Sequence, residues 1–219
     1  MSDAPRPILA VSASGRHYSC TLRPPQGADL SDPGTDGLLP AVDRLFQQIE
    51  VPRTELGEVR LDLGPGSYTG LRVAVTFART ALAFGSATVR TATSLELLAL
   101  AALDQQLVSE GQRIRLVLDA RRNRLHHATI RIGSEVERIT KPTAEPIDEV
   151  VRGLGDDEVI LAEANLLDTL RPHAKGDVVT IPDGMKSDLS RWLLDPRIRL
   201  QEAATGDLEP LYLMGTYAD

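Results

Sequence analysis

Cysteine is almost absent from this sequence, and its scarcity limits the chemistry available to the chain. Cys20 is the only cysteine among 219 residues, so an internal disulfide and a cysteine-based metal site are both excluded. A chain without disulfides is typical of a reducing compartment. No apolar run approaches the roughly 20 residues of a transmembrane helix, and residues 1–7 lack the basic-then-apolar pattern of a secretory signal. We therefore expect a cytoplasmic protein without a membrane segment.

An excess of positive charge is also missing. The chain has 24 Lys and Arg against 31 Asp and Glu, which gives a formal net charge of −7. Tight binding to RNA phosphates relies on clustered Lys and Arg, so the composition argues against a protein that grips RNA unaided. The apolar fraction of 42% and the charged fraction of 25% are ordinary for a folded chain. The length suits one compact unit or two small domains.

The most distinctive stretch combines a short strand, a glycine-rich turn and an apolar helix. Val59–Leu63 has the pattern of a short apolar strand. The turn that follows it reads Gly64-Pro65-Gly66-Ser67-Tyr68-Thr69-Gly70. Ser67 and Thr69 are candidate N-caps, so a helix is predicted to open near Gly70. From Val73 to Phe84 this helix is apolar on almost every side, which indicates several buried faces, one of which can belong to a partner protein.

The glycine-rich turn has two interpretations. It can cradle an anion with its backbone N–H groups and the helix N-terminus, or it can be a tight turn in which glycine lets two backbones pack together. The spacing is not that of a Walker P-loop, because no Lys-Ser or Lys-Thr follows the last glycine, and it is not the dinucleotide fingerprint. The pattern alone favours the tight turn.

The segment from Gly64 to Arg72, followed by an alanine-rich helix, resembles the signature of the TsaB family, also called YeaZ. That family belongs to the bacterial machinery that makes threonylcarbamoyladenosine on tRNA. Four further segments are similar to the family: Leu38-Leu39-Pro40-Ala41-Val42-Asp43-Arg44-Leu45, Ser94-Leu95-Glu96-Leu97-Leu98-Ala99, Asp119-Ala120-Arg121-Arg122 and Glu209-Pro210-Leu211-Tyr212-Leu213.

The resemblance implies an α/β fold of two RNase H-like subdomains with mixed sheets, of the type shared by actin and sugar kinases (ASKHA). The second subdomain is expected to be smaller and degenerate. We expect an N-terminal domain over residues 1–108, which carries the glycine turn and the partner helices, and a C-terminal domain over residues 109–219.

The sequence departs from the family pattern at the end of its first strand. Relatives have Asp-Thr-Ser at this point, where this chain has Ser12-Ala13-Ser14. A carboxylate there would be a metal ligand or an acid/base group near a metal-bound phosphate. Its loss weakens any case for nucleotide chemistry.

No catalytic arrangement stands out in the sequence. Ser67 and Cys20 are possible nucleophiles, but neither has a nucleophile-elbow or papain-like context. The possible bases are His17, His126, His127 and His173. Because neighbouring residues of a strand face opposite ways, the adjacent histidine pair cannot easily share one metal ion. We predict no catalytic residue, no metal site and no cofactor.

The resemblance implies a non-catalytic subunit that binds a TsaD-like protein, the subunit expected to transfer the threonylcarbamoyl group to the adenosine beside the anticodon. A TsaE-like ATPase is a further expected partner. In the family, the first two helices of the N-terminal domain bundle with those of TsaD, which maps here onto residues 38–50 and 70–85. The expected interface residues are Leu38, Val42, Leu45, Ile49, Leu71, Arg72, Val75, Thr76 and Arg79. Without the partner, a homodimer through the same surface is expected.

Two other functions remain open at this point. The chain can be a small-molecule phosphotransferase or phosphate-binding protein of the actin-like superfamily that uses the glycine turn. It can also bind tRNA directly through a basic hairpin with six arginines, Arg113, Arg115, Arg121, Arg122, Arg124 and Arg131. Strand alternation would scatter those side chains over two faces, so edge charges that discourage aggregation are the favoured interpretation. We expect tRNA to be contacted only indirectly.

Overall fold

Short apolar strands bounded by Pro, Gly and Asp alternate with helices along most of the chain. The computed structural model describes residues 5–85, 87–204, 206 and 208–213. Its first elements in chain order are β1 (Ile8–Ser12), β2 (Ser19–Arg23), β3 (Leu30–Asp32), α1 (Leu38–Ile49), β4 (Glu58–Asp62), α2 (Tyr68–Phe84), β5 (Thr88–Ala92) and α3 (Ser94–Asp104). The later elements are β6 (Arg113–Asp119), β7 (Arg124–Ile132), β8 (Val136–Arg138), β9 (Thr143–Pro146), α4 (Ile147–Arg152), β10 (Glu158–Ala162), α5 (Leu167–Leu170), β11 (Val178–Thr180) and β12 (Gln201–Glu202).

The chain divides into two compact units. Among the described residues, the first unit holds those up to Ser94 together with those of Lys186–Leu211, and the second holds Leu95–Met185 with Tyr212 and Leu213. Each unit is built on its own six-stranded sheet. This is the α/β architecture of two mixed sheets that the sequence predicted.

The sheet of the first unit is mixed. Its strands lie in the order β12-β5-β4-β1-β2-β3. Strands β1, β4 and β5 are parallel to one another, whereas β2, β3 and β12 join by antiparallel pairing. Short loops, residues 13–18 and 24–29, join the antiparallel strands β1, β2 and β3, and helix α2 makes the crossover between the parallel strands β4 and β5, as strand geometry requires.

Helices α1 and α2 each bury one stripe in the core of the first unit. In α1 the buried residues recur at helical spacing: Leu38, Ala41, Val42, Leu45 and Phe46. In α2 they are Leu71, Ala74, Val75 and Ala78. These intervals of three and four residues define a single face of a helix, so the remaining apolar side chains of α2 are left for other surroundings.

A late segment of the chain completes the first unit. The backbone N–H of Ser190 donates to Ser19 Oγ at 3.0 Å, and the Ser190 and Thr21 hydroxyls are 2.8 Å apart. Strand β12 pairs with β5, and Arg60 donates to the carbonyl of Leu193 at 3.1 Å. The division therefore differs from the expected boundary at residues 108 and 109, because residues 186–211 supply an edge strand and core contacts to the first unit.

The second unit has its own mixed sheet and core. Its strand order is β11-β10-β6-β7-β8, and β9 also pairs with β7. Helices α4 and α5 pack on an apolar cluster that includes Val117, Leu125 and Ile160. Helix α3 is buried from Leu95 to Ala102, where every residue except Glu96 is apolar, and Glu96 pairs with Arg138 at 2.8 Å.

Among the residues that the structure describes, no helix is both long and apolar enough to cross a membrane.

We expect a fragment of residues 1–108 to lack a cooperative unfolding transition. It would expose the β5 edge and leave Ser19 and Thr21 without the Ser190 contacts. Urea denaturation followed by circular dichroism tests this expectation. The matched control joins residues 186–211 to the fragment through a flexible linker, and it should recover the transition. Cooperative unfolding of the short fragment at the midpoint of the full chain would contradict the expectation.

Candidate functional site

A groove runs between the start of α1 and the outer side of α2. It has a volume of about 560 Å³. Its lining consists of Leu38, Leu39, Tyr68, Thr69, Arg72, Val73, Thr76, Phe77 and Thr80. We call these nine residues the helix groove.

Several large apolar side chains of the helix groove face water. Leu39 is 61% exposed, Tyr68 45% and Val73 40%. Phe84, at the last turn of α2, is 88% exposed and continues the apolar surface along the helix. Single exposed apolar residues are common, but a contiguous group lining a concavity marks an interaction site.

Two of the three threonines of the helix groove, Thr76 and Thr80, have hydroxyl groups that are hydrogen-bonded to the backbone of their own helix. Thr76 Oγ1 donates to the carbonyl of Arg72 at 2.8 Å, and Thr80 Oγ1 donates to the carbonyl of Thr76 at 2.9 Å. Both bonds are the i to i−4 type that helices accommodate. Because the hydroxyl protons are already bonded, a partner can cover these residues without leaving an unmet donor.

Arg72 is the only charged residue of the helix groove. Its guanidinium carbon lies 5.4 Å from the centroid of the Tyr68 ring, and its Nη1 donates to the Tyr68 hydroxyl at 3.1 Å. The guanidinium therefore rests on an aromatic side chain, a cation–π contact, and remains exposed to solvent.

Most of the predicted interface residues do not line the helix groove. Five are buried inside the first unit: Leu38, Val42, Leu45, Leu71 and Val75. Ile49 is half-buried against the same core. A side chain such as Val75, with 3% exposure, has no surface left for a partner. In the free chain these six side chains pack in the core of the first unit, and their contact with a partner stays a prediction.

Arg79 is also committed within the chain. Its Nε donates to the carbonyl of Leu208 at 2.8 Å, and its Nη2 lies 3.8 Å from a carboxylate oxygen of Glu209. Leu208 is completely buried. Arg79 therefore fixes the segment around Leu208 onto α2. Three predicted interface residues line the helix groove, namely Leu38, Arg72 and Thr76, and of these Arg72 and Thr76 are exposed.

Sequence reasoning missed Leu39 and Val73. A usable signal existed in the helix period, because each helix needs one stripe for its own sheet and the residues off that stripe must face outward. Subtracting Leu71, Ala74, Val75 and Ala78 from α2 leaves Val73 as an outward apolar residue.

The glycine turn leads into α2 as predicted. Ser67 is the N-cap, and its Oγ accepts from the Gly70 N–H at 3.3 Å. The helix begins at Tyr68, two residues earlier than expected, and Thr69 is inside it. Gly64 has a φ of 100°, in the region that favours glycine.

The turn is packed too closely to hold an anion in the way first considered. A Cβ at Gly66 would overlap the backbone of Ser14, and one at Gly70 would overlap the carbonyl oxygen of Ala13. The Ser67 N–H donates to the Ser14 carbonyl at 2.9 Å. The N–H groups of Gly64, Ser67 and Gly70 are therefore used inside the chain, and Gly66 and Gly70 allow close backbone approach.

A buried carboxylate lies beneath this turn. Asp62, the last residue of β4, is completely inaccessible to solvent. Its Oδ2 accepts from Ser12 Oγ at 2.7 Å, and its Oδ1 accepts from Ser94 Oγ at 2.7 Å and from the Gly64 N–H at 2.8 Å. Ser14 Oγ is a fourth hydrogen-bonding neighbour. We call these five residues the Asp62 network.

In the Asp62 network, Ser12 is a hydrogen-bond donor to a carboxylate on another strand. The resemblance leads one to expect a carboxylate at the end of the first strand, where this chain has Ser12, and Asp62 supplies a carboxylate from the neighbouring parallel strand. Its oxygens are occupied by donors of this chain, so it is not open to a ligand. Burial raises the pKa of Asp62, and the hydrogen bonds oppose that rise.

Asp62 itself was not singled out in the sequence as a site residue, although Gly64, Ser12 and Ser14 were discussed. A charged residue at the end of an apolar strand, two residues before a glycine, was the available signal. Burial of such a residue requires hydrogen-bonding partners, and here they come from distant positions, Ser12 and Ser94.

The arginines of the β6–β7 hairpin are largely paired within the second unit. Arg115 Nε lies 3.0 Å from Glu158 Oε2, and Arg113 Nη2 lies 3.4 Å from Glu158 Oε1. Arg131 Nη2 lies 2.6 Å from Glu137 Oε2. These pairs reduce the positive charge available to a nucleic acid. Burial would raise the pKa of Glu158, but hydrogen bonds led by the one from Arg115 hold that pKa below its ordinary value.

The hairpin turn itself has an unusual backbone. Arg121, Arg122 and Asn123 have φ angles of 64°, 51° and 60°, a left-handed conformation that residues with a Cβ rarely adopt in succession. Asp119 Oδ1 accepts from the Arg121 N–H at 2.7 Å. That bond caps the turn and helps to hold it.

His127 is buried between three strands of the second unit. Its Nε2 lies 3.2 Å from Glu145 Oε2 and 3.1 Å from Thr143 Oγ1, and its Nδ1 lies 3.3 Å from Arg115 Nη1. Burial lowers the pKa of His127. Within the described residues, no group of three or more His, Cys, Asp and Glu side chains could hold a metal ion.

Comparisons with known proteins agree with this fold. The family model described as TsaD, tRNA N6-adenosine threonylcarbamoyltransferase, matches residues 35–205. The solved structure of YeaZ from Pseudomonas aeruginosa superposes with a TM-score of 0.71 at 19% identity, over 95% of this chain and 100% of that one. A second structure, of an uncharacterized protein with similarity to peptidase YeaZ from Pseudomonas aeruginosa, gives 0.69 at 19% identity, over 96% and 100%. A search of curated proteins finds no match. The predicted resemblance is confirmed in the fold.

The raised pKa of Asp62 should make stability fall as the pH rises. Between the ordinary Asp pKa of about 4 and the raised value in the folded chain, the folded state binds a proton that the unfolded state has released. Its stabilising contribution is complete below the unfolded-state pKa and is lost as the pH passes through the folded-state pKa. We expect Asp62→Asn, which cannot ionise, to remove this decline.

Urea unfolding measured at several pH values between about 4 and 8 tests this linkage. The matched control is Asp183→Asn at an exposed position, which should keep the slope of the parent chain. Equal slopes for the parent and Asp62→Asn would contradict the assignment.

The close packing of the glycine turn should make Gly66 intolerant of a methyl group. We expect Gly66→Ala to lower the free energy of unfolding by about 2 kcal/mol, since the new Cβ must displace the Ser14 backbone. The control is Gly133→Ala, where an added Cβ meets nothing within 4 Å. Thermal unfolding of both variants checks the expectation, and equal melting temperatures would count against it.

Proposed function

Because the chain belongs to the TsaD family, tRNA N6-adenosine threonylcarbamoyltransferase, we propose that it is a non-catalytic subunit needed for threonylcarbamoyladenosine formation on tRNA. In this proposal the chain binds a TsaD-like subunit, which transfers the threonylcarbamoyl group to the adenosine beside the anticodon, and it works together with a TsaE-like ATPase. The tRNA is contacted only through the assembled complex. The observation that carries the proposal is the exposed helix groove.

The helix groove supports a role in protein binding. Its apolar residues Leu39, Tyr68 and Val73 are exposed, and the hydroxyls of Thr76 and Thr80 are already bonded to the helix backbone. Covering such a surface removes apolar area from water without stranding polar groups. A helix pair from a partner fits this geometry, because amphipathic helices dock in apolar grooves through residues at intervals of three and four.

A non-catalytic role is supported by the region beneath the glycine turn. In related folds that act on nucleotides, the resemblance leads one to expect an accessible carboxylate near a phosphate. Asp62 is completely buried and hydrogen-bonded, and the Ser67 and Gly70 N–H groups donate within the chain. The carboxylate and these N–H groups are thus engaged in hydrogen bonds within the chain rather than free to bind a substrate.

The alternative functions have less support. A small-molecule phosphotransferase or phosphate-binding protein needs an open anion site at the turn, where the backbone of Ser14 already lies against Gly66. Direct binding of tRNA through the hairpin needs unpaired cations, whereas Arg115 and Arg131 are in ion pairs. Without a TsaD-like protein, a second copy of this chain can cover the same groove, so a homodimer is part of the proposal.

The test of function is an omission experiment. The modification is reconstituted from TsaC-, TsaD- and TsaE-like proteins of the same organism with ATP, threonine, bicarbonate and tRNA, with and without this chain. Modified adenosine is measured by mass spectrometry. We expect modification to require the chain, and the chain alone to hydrolyse no ATP. Equal modification without it would overturn the proposal.

Val73→Glu should distinguish a partner-binding role of the helix groove from a role in the core of the first unit. A charge at a 40% exposed position leaves the first unit folded but blocks an apolar partner, so we expect binding of the TsaD-like protein to fall about ten-fold or more. Val75→Glu, at 3% exposure, should instead unfold the first unit. Calorimetric titration measures the first effect and thermal unfolding the second. A folded Val73→Glu variant with undiminished affinity would remove the groove from the proposal.

A further inference from the structure

We propose that Arg72 selects the occupant of the helix groove by requiring a carboxylate from it. The preferred occupant is then a helix of the TsaD-like partner that presents one Asp or Glu between apolar residues, rather than a second copy of this chain. This inference rests on the proposed function, because it specifies which partner the same groove favours.

In the described part of the chain, Arg72 forms no ion pair with a carboxylate. Its guanidinium contacts the hydroxyl and the ring of Tyr68, both neutral. Among the described residues, no carboxylate is paired with it, and the other residues that line the helix groove carry no charge. In the free chain the guanidinium of Arg72 is exposed to solvent, so its charge needs no carboxylate partner until another protein covers the helix groove.

Docking changes that balance. A partner that fills the groove removes water from the guanidinium, and an unpaired cation in an interface is strongly unfavourable. A carboxylate opposite Arg72 compensates for the lost hydration and can accept two parallel N–H bonds from the planar group. The stacked position on Tyr68 restricts the guanidinium beforehand, so less side-chain entropy is lost on pairing.

A second copy of the chain cannot easily supply this carboxylate. Helix α2 contains no Asp or Glu between Tyr68 and Phe84. The single acid of α1 is Asp43, and its Oδ1 lies 2.6 Å from Arg53 Nη1. A two-fold dimer brings the same surface patch of both copies together, so each Arg72 would meet neutral groups or the other cation.

The acid just before α1 is also engaged. Asp36 Oδ2 lies 2.6 Å from Arg44 Nη1, and Arg44 also pairs with Asp32 at 2.8 Å. Breaking one of these pairs to satisfy Arg72 would leave another arginine without its partner. The charge pattern therefore favours a heterologous partner, and it makes self-association the weaker alternative.

The experiment compares Arg72→Met and Arg72→Glu with the parent chain. Met keeps an apolar stem of similar reach but removes the charge, and Glu reverses it. The control is Arg171→Met at an exposed position of the second unit. Calorimetric titration gives the affinity for the TsaD-like protein of the same organism, and sedimentation equilibrium gives the self-association constant. Val73→Glu reports separately on the apolar groove, and thermal unfolding confirms that each variant is folded.

We expect Arg72→Met to weaken binding of the TsaD-like protein about ten-fold or more, and Arg72→Glu to weaken it further through repulsion. Arg171→Met should bind like the parent chain. Self-association of Arg72→Met should equal or exceed that of the parent, because a dimer no longer has to bury an unpaired cation.

The contrary outcomes distinguish the two levels of the proposal. If Val73→Glu loses affinity while Arg72→Met and Arg72→Glu keep it, the groove is the interface but Arg72 does not select the partner. If Arg72→Met weakens both associations equally, Arg72 contributes packing alone, and the inference is overturned. If the parent chain does not bind the TsaD-like protein, the proposed function fails, and the inference fails with it.

Discussion

The hydrogen bonds of one buried carboxylate, Asp62, hold the turn from which helix α2 of the first unit begins. Asp62 sits at the end of β4, where it gathers Ser12 from β1, Ser94 at the start of α3 and the backbone of Gly64. An ionisable group without solvent contact is tolerated only when such donors surround it. The same donors fix the first residues of the turn, and the turn sets where α2 begins. The position of the helix groove thus depends on a polar contact in the interior.

The interior and the helix groove follow one rule, which is that polar atoms are bonded within the chain before they are covered. At the glycine turn, where the resemblance leads one to expect phosphate binding, the N–H groups of Ser67 and Gly70 instead donate within the chain. On α2 it gives Thr76 and Thr80 an apolar outer surface. Arg72 is the exception, since its strongest possible partner is a carboxylate. An apolar surface with one cation that needs a carboxylate partner can discriminate between binding partners as well as bind them.

Local features of this chain could be predicted from the sequence, while the features that depend on distant residues could not. The family resemblance placed α1 within a residue of Leu38–Ile49, and capping chemistry included Ser67, the residue before α2, as one of two candidate N-caps. The helix period did not show which stripe of each helix meets the sheet, so buried residues such as Val75 were assigned to a partner. Asp62 was overlooked because its serine partners are far away in sequence. The use of residues 186–211 in the first unit has no local signal at all, since two-residue β12 pairs with β5 across more than a hundred positions.

The return of residues 186–211 to the first unit has a consequence for biosynthesis. The second unit is formed mainly by the continuous segment Leu95–Met185, so its sheet can close as soon as that segment has left the ribosome. The first unit is translated earlier but must wait for its last strand and for Leu208. During that interval β5 is an unpaired edge, which is prone to pairing with other chains. Slow or interrupted translation beyond Met185 would therefore expose the nascent chain to aggregation through a unit whose sequence is already almost complete.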